Sequence, residues 1–213
     1  MARIYKGILG GFSGTVGTVV GATWRGIDIM RSRPKKTNRI PTPGQAEQRE
    51  RFALTIDFLI GIRPLLRIFF GQPAGEKSKS NLATAYHLTE AIAGAFPGFT
   101  IDFPKVIISK GELLGLQDTT VAPLSGAELK INWTDNSGQG QARTDDLMMF
   151  AVYNETKSLW EYQAAAASRT LSTFTIALPN VWVGNTVHCW LAIASANDKK
   201  YSISEYVGPL VVV

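Results

Sequence analysis

Residues 187–193 read Val-His-Cys-Trp-Leu-Ala-Ile, and their apolar side chains alternate with a period of two. One face of the segment carries Val187, Cys189, Leu191 and Ile193, as expected for a strand with a buried side. Cys189 is the single cysteine, which excludes a disulfide within the chain and a cysteine-based metal cluster. Because buried cysteine behaves as a small apolar residue, we expect Cys189 to be a structural thiol in a β-sheet core.

The same alternation recurs through the C-terminal half of the chain. Turn residues separate the segments, for example Asp-Asn-Ser-Gly at 135–138 and Asn-Asp at 197–198. The predicted strands are 106–109, 129–134, 147–154, 159–162, 171–178, 187–195 and 201–207. Seven short strands of this kind predict an immunoglobulin-like β-sandwich. Trp133 shares a strand face with Leu129 and Ile131, so we expect it in the core.

Helical spacing precedes these strands. Thr42 followed by Pro43 is a favourable helix start, and Pro64 should kink or restart the helix. One face of this helix carries Phe52, Ile56, Leu59 and Ile60. A second helix is predicted at about 80–95, closed by Pro97-Gly98. The fold class is therefore α+β, with residues 1–99 forming one part and the sandwich at 100–213 forming the other.

The first thirty residues are patterned with glycine. Seven glycines lie between positions 7 and 26, and Val, Thr and Ile residues stand between them. This composition weakens a helix and favours short strands, with a candidate hairpin turn at Arg25-Gly26. It matches neither the dinucleotide fingerprint nor the Walker loop. A segment so short and so rich in glycine should not hold a sheet alone, so we expect residues 7–30 to pair with a neighbouring subunit.

A basic arm follows at residues 31–43, where five basic residues and three prolines favour an extended chain. Residues 1–99 carry 14 Lys/Arg against 6 Asp/Glu, whereas residues 100–213 carry 8 against 11. The basic half should therefore meet an acidic partner, either nucleic acid or the acidic half of the next subunit. The predicted interface residues are Val16, Val19, Val20, Trp24, Arg31, Arg33, Lys35, Lys36 and Arg39.

Reactive side chains are few and scattered. His87 and His188 have no ligand-spaced partner in the sequence, and no serine lies in a nucleophile elbow. Asp135, Asp145 and Asp146 in one loop are the best cation candidates, but loop solubility explains them better. We therefore expect no catalytic residue, no metal and no cofactor. We also expect no membrane span and no cleaved signal peptide.

The C-terminal half is similar to fibronectin type III modules. Leu129, Ile131 and Trp133 resemble the second strand of that family, and residues 184–193 resemble its sixth strand. The family's tyrosine at the start of the sixth strand corresponds to Val187 here, which is a departure. The resemblance implies binding or spacing and rarely catalysis. The whole chain also resembles an uncharacterised bacterial family, a domain of unknown function, through segments like residues 11–21 and 133–138.

Three functions remain open from the sequence. The leading hypothesis is a non-enzymatic structural subunit that self-assembles into a filament, tube or virion-like particle through its N-terminal segment and basic arm. The second is a nucleic-acid-binding protein, although Trp24 is the one aromatic beside six basic residues of the cluster. The third is a module that binds a ligand or glycan on the sandwich loops.

Overall fold

The computed structural model describes residues 2–4, 7, 10–24, 26–35, 40–73, 75, 77–197 and 199–213. The chain divides into two compact units, Met1–Thr42 and Pro43–Val213. The division predicted after residue 99 differs from this one, because the helices pack into the same unit as the sandwich.

The N-terminal unit is an antiparallel meander of four strands in the order β1-β2-β3-β4. Their bounds are Arg3–Ile4 (β1), Phe12–Val16 (β2), Val19–Trp24 (β3) and Ile27–Ser32 (β4). Trp24 pairs with Ile27, and Gly26 has a φ of +79°, so the hairpin predicted there is confirmed. The segment that we expected to be unable to hold a sheet alone thus forms a four-stranded sheet within its own chain.

Three helices open the second unit, where two were predicted. They are Pro43–Ile60 (α1), Arg63–Phe69 (α2) and Lys79–Glu90 (α3). The start at Pro43 is confirmed, and Pro64 lies in the first turn of α2, as its fixed φ favours. Gly61 separates α1 from α2 at a close contact, because a Cβ there would lie 2.7 Å from Cδ1 of Trp160. The α3 helix ends before the predicted residue 95, and two short paired strands follow it.

In the described part of the unit, ten strands follow the helices. The small pair is Ile92–Ala93 (β5) with Thr100–Ile101 (β6). The others are Gln117–Leu124 (β7), Glu128–Thr134 (β8), Leu147–Asn154 (β9), Leu159–Ser168 (β10), Thr173–Ala177 (β11), Thr186–Ala194 (β12), Glu205–Tyr206 (β13) and Leu210–Val211 (β14). They form a three-stranded sheet, β11-β8-β7, and a five-stranded sheet, β10-β9-β12-β13, in which β14 also pairs with β12.

Strands β9 and β12 are buried almost along their whole length because both faces of their sheet are covered. On one face Cys189, Leu191 and Phe150 share a core with Leu129 and other residues of the three-stranded sheet. On the other face a second core joins β9 and β12 to the three helices. The unit therefore has three layers, helices, five-stranded sheet and three-stranded sheet, and the buried position predicted for Cys189 is confirmed.

Two strand assignments were wrong. Residues 106–109 are not a strand but an irregular segment, where Val106 and Ile108 are buried in the helix-side core. The first strand of the sandwich is instead β7, at Gln117–Leu124. The last predicted strand, 201–207, is shortened to Glu205–Tyr206 (β13), and β14 follows beyond the predicted bounds and pairs with the opposite end of β12. Among the described residues the two sheets thus contain eight strands, not seven.

His87 should make the fold sensitive to acid. It is 1% exposed in α3, its Nδ1–H donates to the Ala83 carbonyl at 2.7 Å, and burial lowers its pKa from 6.5 to about 4. Between those two values the unfolded chain binds the proton more readily, so this contribution is complete above pH 6.5 and is lost as the pH falls toward 4. We expect a loss of about 3 kcal/mol from this group at pH 4.

Urea melts at pH 7 and pH 4 measure this loss. Between pH 7 and pH 4, the free energy of unfolding of His87→Gln should fall by about 3 kcal/mol less than that of the unchanged protein. An equal fall in both proteins would contradict the role of His87.

Candidate assembly surface

The N-terminal sheet exposes large apolar side chains and has no core of its own. Of the described residues in 1–42, Gly21 alone is buried. Met30 is 74% exposed, Ile27 61% and Trp24 57%. The other large apolar side chains of the described residues in 1–42 that are more than one-third exposed are Ile4, Val16, Val19 and Ile40. Small sheets need a buried face to be stable in water, so these exposed apolar side chains make the sheet the candidate assembly surface of the described chain.

Strand register places the predicted interface residues on both faces of this sheet. Val16 pairs with Val19, and both side chains lie on one face. Val20 pairs with Arg31 on the opposite face, where Trp24 also lies by alternation. The predicted residues in the described part of the sheet therefore lie on two faces and not in one patch.

Close packing on the Val19 face explains one glycine. A Cβ on Gly21 would collide with the carbonyl oxygen of Phe12 and lie 2.6 Å from Cδ2 of its ring. The ring of Phe12 thus rests against bare backbone. Only glycine allows Phe12 of β2 to approach the backbone of β3 this closely.

The basic residues continue from the end of the sheet. Arg31, Arg33 and Lys35 are exposed, and the backbone N–H of Arg33 donates to the Thr18 carbonyl at 2.8 Å. The arm is thus anchored to the sheet at its first residues. Lys36 and Arg39, the remaining predicted interface residues, lie outside the described residues.

Four exposed apolar residues were missed by the sequence prediction: Ile4, Ile27, Met30 and Ile40. The segment Ile27-Asp28-Ile29-Met30 contains apolar residues on both sides of the strand. Such a pattern within a polar, glycine-rich segment predicts a sheet that is apolar on both faces.

His188 lies in a polar and aromatic cluster of the second unit. Its ring stacks on Phe103 at 3.6 Å, its Nδ1 lies 2.8 Å from the Tyr206 hydroxyl, and its Nε2 lies 3.4 Å from Oε2 of Glu155. Burial lowers the pKa of His188, and Glu155 opposes that shift. Burial also raises the pKa of Tyr206 to about 12, so the phenol stays protonated. These contacts connect β13 and the turn between β9 and β10 to β12. None of these side chains is an activated nucleophile.

The acidic loop is occupied by internal contacts. Asp146 is 1% exposed and accepts from the Arg169 guanidinium at 3.2 Å and from the Arg143 N–H at 2.8 Å. Asp135 accepts from the Ser137 N–H at 2.9 Å. Cys189 is fully buried, and burial raises its pKa to about 12, which keeps the thiol protonated. These groups therefore stabilise the fold.

None of the helices in the described part of the chain has the length and apolar character needed to cross a membrane.

Comparison with families of known sequences gives one match over residues 11–208, to DUF6266, described as a family of unknown function. The chain belongs to the DUF6266 family. The matched range includes β2 to β4 of the N-terminal sheet, the whole helix-side core and all but Val212 of the buried core between the two sheets. Comparison of this DUF6266 protein with curated proteins finds no significant match.

The solved structures that match this DUF6266 protein include one with a weak likeness. It is the fn3 domain of the human collagen alpha-1(XX) chain, at 16% sequence identity and a TM-score of 0.33. The alignment covers 49% of this chain and 90% of that domain.

Proposed function

We propose that this protein is a non-enzymatic structural subunit that self-assembles through its N-terminal sheet and basic arm. The observation that carries the proposal is a four-stranded sheet with apolar side chains exposed on both faces and no buried core of its own. Burial against a neighbouring copy would remove these side chains from water, at about 25 cal/mol per Å² of apolar surface. A filament, a tube or a virion-like particle would each provide such neighbours.

The charge distribution supports a neighbour of the same kind. Residues 1–42 contain eight Lys/Arg and one Asp/Glu, whereas residues 43–213 contain 14 and 16. The N-terminal unit of one copy is thus strongly basic, and the larger unit of the next copy is slightly acidic. Complementary charge steers such an encounter and sets its orientation.

Catalysis is disfavoured by the state of the reactive groups. Cys189 and His87 are buried, His188 is held between Tyr206 and Glu155, and Asp146 is held by Arg169. An active site needs such groups aimed at a cleft that a substrate can enter.

We also propose that the sandwich is fibronectin-type-III-like with seven strand positions. Its support is the strand order, β11-β8-β7 against β10-β9-β12, with β13 and β14 together forming the last edge. Modules of this architecture serve as spacers and binding units, which suits a structural subunit.

Gly21→Ala tests the proposal. The new Cβ would collide with Phe12, so the β2–β3 pairing should open and assembly should be lost, while the melting of the second unit stays unchanged. Gly44→Ala is the matched control, because nothing lies within 4 Å of a Cβ at that position. Sedimentation velocity measures assembly and circular dichroism measures melting. Assembly of Gly21→Ala at the level of the unchanged protein would refute the role of the sheet.

Nucleic-acid binding is the second candidate, because eight basic residues in 1–42 accompany an exposed Trp24. Filter binding with random single- and double-stranded DNA distinguishes the two. Submicromolar binding at physiological salt, with an affinity that falls log-linearly with salt, would favour this candidate over assembly.

A further inference from the structure

Strand β10 is an edge of the five-stranded sheet with little protection along its first five residues. Among the described residues its ten positions pair only with β9. It contains one charged residue, Glu161, and neither lysine nor proline, the residues that commonly block edge pairing. A register shift follows Gln163, so the regular part of the edge is Leu159–Gln163. A short, regular row of unpaired backbone groups remains there.

The N-terminal sheet also ends in a strand that is paired on one side. Strand β4 pairs with β3 alone in the described chain, and its outer side is the last of the meander. It contains no proline, and Met30, its most exposed apolar residue, is 74% exposed. Arg31, the neighbour of Met30, is exposed on the opposite face of the strand.

We propose that β4 of one copy adds antiparallel to Leu159–Gln163 of β10 in a neighbouring copy, an inference that rests on the proposed function and names its docking site. Main-chain hydrogen bonds supply the attraction in strand addition, and side chains select the register. The register is the one that places Arg31 opposite Glu161, because an opposite-charge pair stabilises facing positions.

The same register suits the other face of the strands. Met30 then lies opposite Tyr162, and Ser32 lies opposite Trp160. Trp160 and Tyr162 already pack at the helix side of the sheet, where the Trp160 indole N–H donates to the Phe58 carbonyl at 2.8 Å. The thioether of Met30 would extend this aromatic cluster, a favourable sulfur–aromatic contact, and would leave water.

Pairing of β10 with a second β10 is less favourable. An antiparallel two-fold pair centred on the regular edge would set Glu161 against its own copy, and facing like charges are destabilising. Pairing of β4 with β10 is instead heterologous, because each copy pairs through β4 with one neighbour and through β10 with another. Such contacts produce filaments with a free edge at each end, or rings where the rotation between copies closes.

A charge-swap series in the full chain tests the pairing. Glu161→Lys and Arg31→Glu should each raise the dissociation constant of assembly on the order of tenfold, because an attractive pair becomes repulsive. The double change R31E/E161K should restore it to within about threefold of the unchanged protein. Glu112→Lys, the same charge change at an exposed carboxylate outside β10, is the control and should leave assembly unchanged.

Sedimentation velocity over a dilution series separates the outcomes. Weakening by both single changes with rescue by the double change supports the pairing. Unaltered assembly of Glu161→Lys, or no rescue in the double variant, overturns it. If residues 43–213 alone are monomeric in either of those cases, the proposed function stands and only the docking site is wrong. If residues 43–213 assemble like the full chain, the proposed function fails as well.

Discussion

Replacing Arg169 with methionine should lower the free energy of unfolding by about 3–5 kcal/mol, because it leaves a buried carboxylate without its partner. Arg169 is fully buried, and its guanidinium donates to the Leu114 carbonyl at 2.8 Å, the Gly115 carbonyl at 3.0 Å and Asp146 at 3.2 Å. A further short hydrogen bond reaches the Asn136 side chain. Methionine fills a similar volume but satisfies none of these acceptors.

Urea denaturation at pH 7 measures this effect, with two variants as checks. Arg143→Met removes an exposed arginine of the same loop and should change stability by less than about 0.5 kcal/mol. Adding Asp146→Asn to Arg169→Met should recover part of the loss, since the stranded charge is removed. A loss below about 1 kcal/mol in Arg169→Met would mean that the loop network is not formed.

Replacing Trp133 with alanine should cost about 3–5 kcal/mol. Trp133 is 4% exposed in the core between the two sheets, beside Leu129 and Ile131. Its indole N–H also donates to the Arg169 carbonyl at 2.7 Å, so the change removes both packing and a buried hydrogen bond. The core position predicted from strand alternation is thereby confirmed.

The matched control is Trp133→Phe, which keeps most of the apolar ring but loses the indole N–H. Its cost should be near 1–2 kcal/mol, roughly that of one unmade buried hydrogen bond. Denaturant melts of both variants should keep the slope of the unchanged protein, since the surface exposed on unfolding is nearly the same. An alanine variant that loses less than about 1 kcal/mol would place Trp133 outside the core.

Strands with one strongly apolar face were predictable from the sequence. β8 and β12 were found because Leu129, Ile131 and Trp133, and again Val187, Cys189 and Leu191, alternate along them. β7 was missed because it is mostly exposed at the edge of its sheet, so its sequence carries no alternation. Residues 106–109 were misassigned because a short apolar run is equally compatible with an irregular buried segment.

The helix layer on the five-stranded sheet was also predictable, from the sequence of β9. β9 reads Leu-Met-Met-Phe-Ala-Val-Tyr-Asn, and such a continuous apolar run indicates a strand covered on both faces. That signal would have placed the helices on the sheet and moved the division of the chain to Thr42–Pro43.

Parts of the candidate sites depend on contacts between distant residues. Glu155 reaches His188 across 33 positions, and Arg169 reaches Leu114 across 55. No local pattern encodes either pair, because the fold alone brings them together. In the N-terminal segment the hairpin at Gly26 was predictable from turn residues, whereas the internal pairing of all four strands was not.

The oligomeric state of the full chain against that of residues 43–213 tests the central claim most directly. Both cores lie within 43–213, so this fragment should keep a cooperative melt without the N-terminal sheet. Light scattering at equal molar concentrations should show the full chain in assemblies larger than one copy and the fragment as a monomer. A folded fragment with the same oligomeric state as the full chain, or a full chain that remains monomeric, would contradict assembly through the N-terminal sheet.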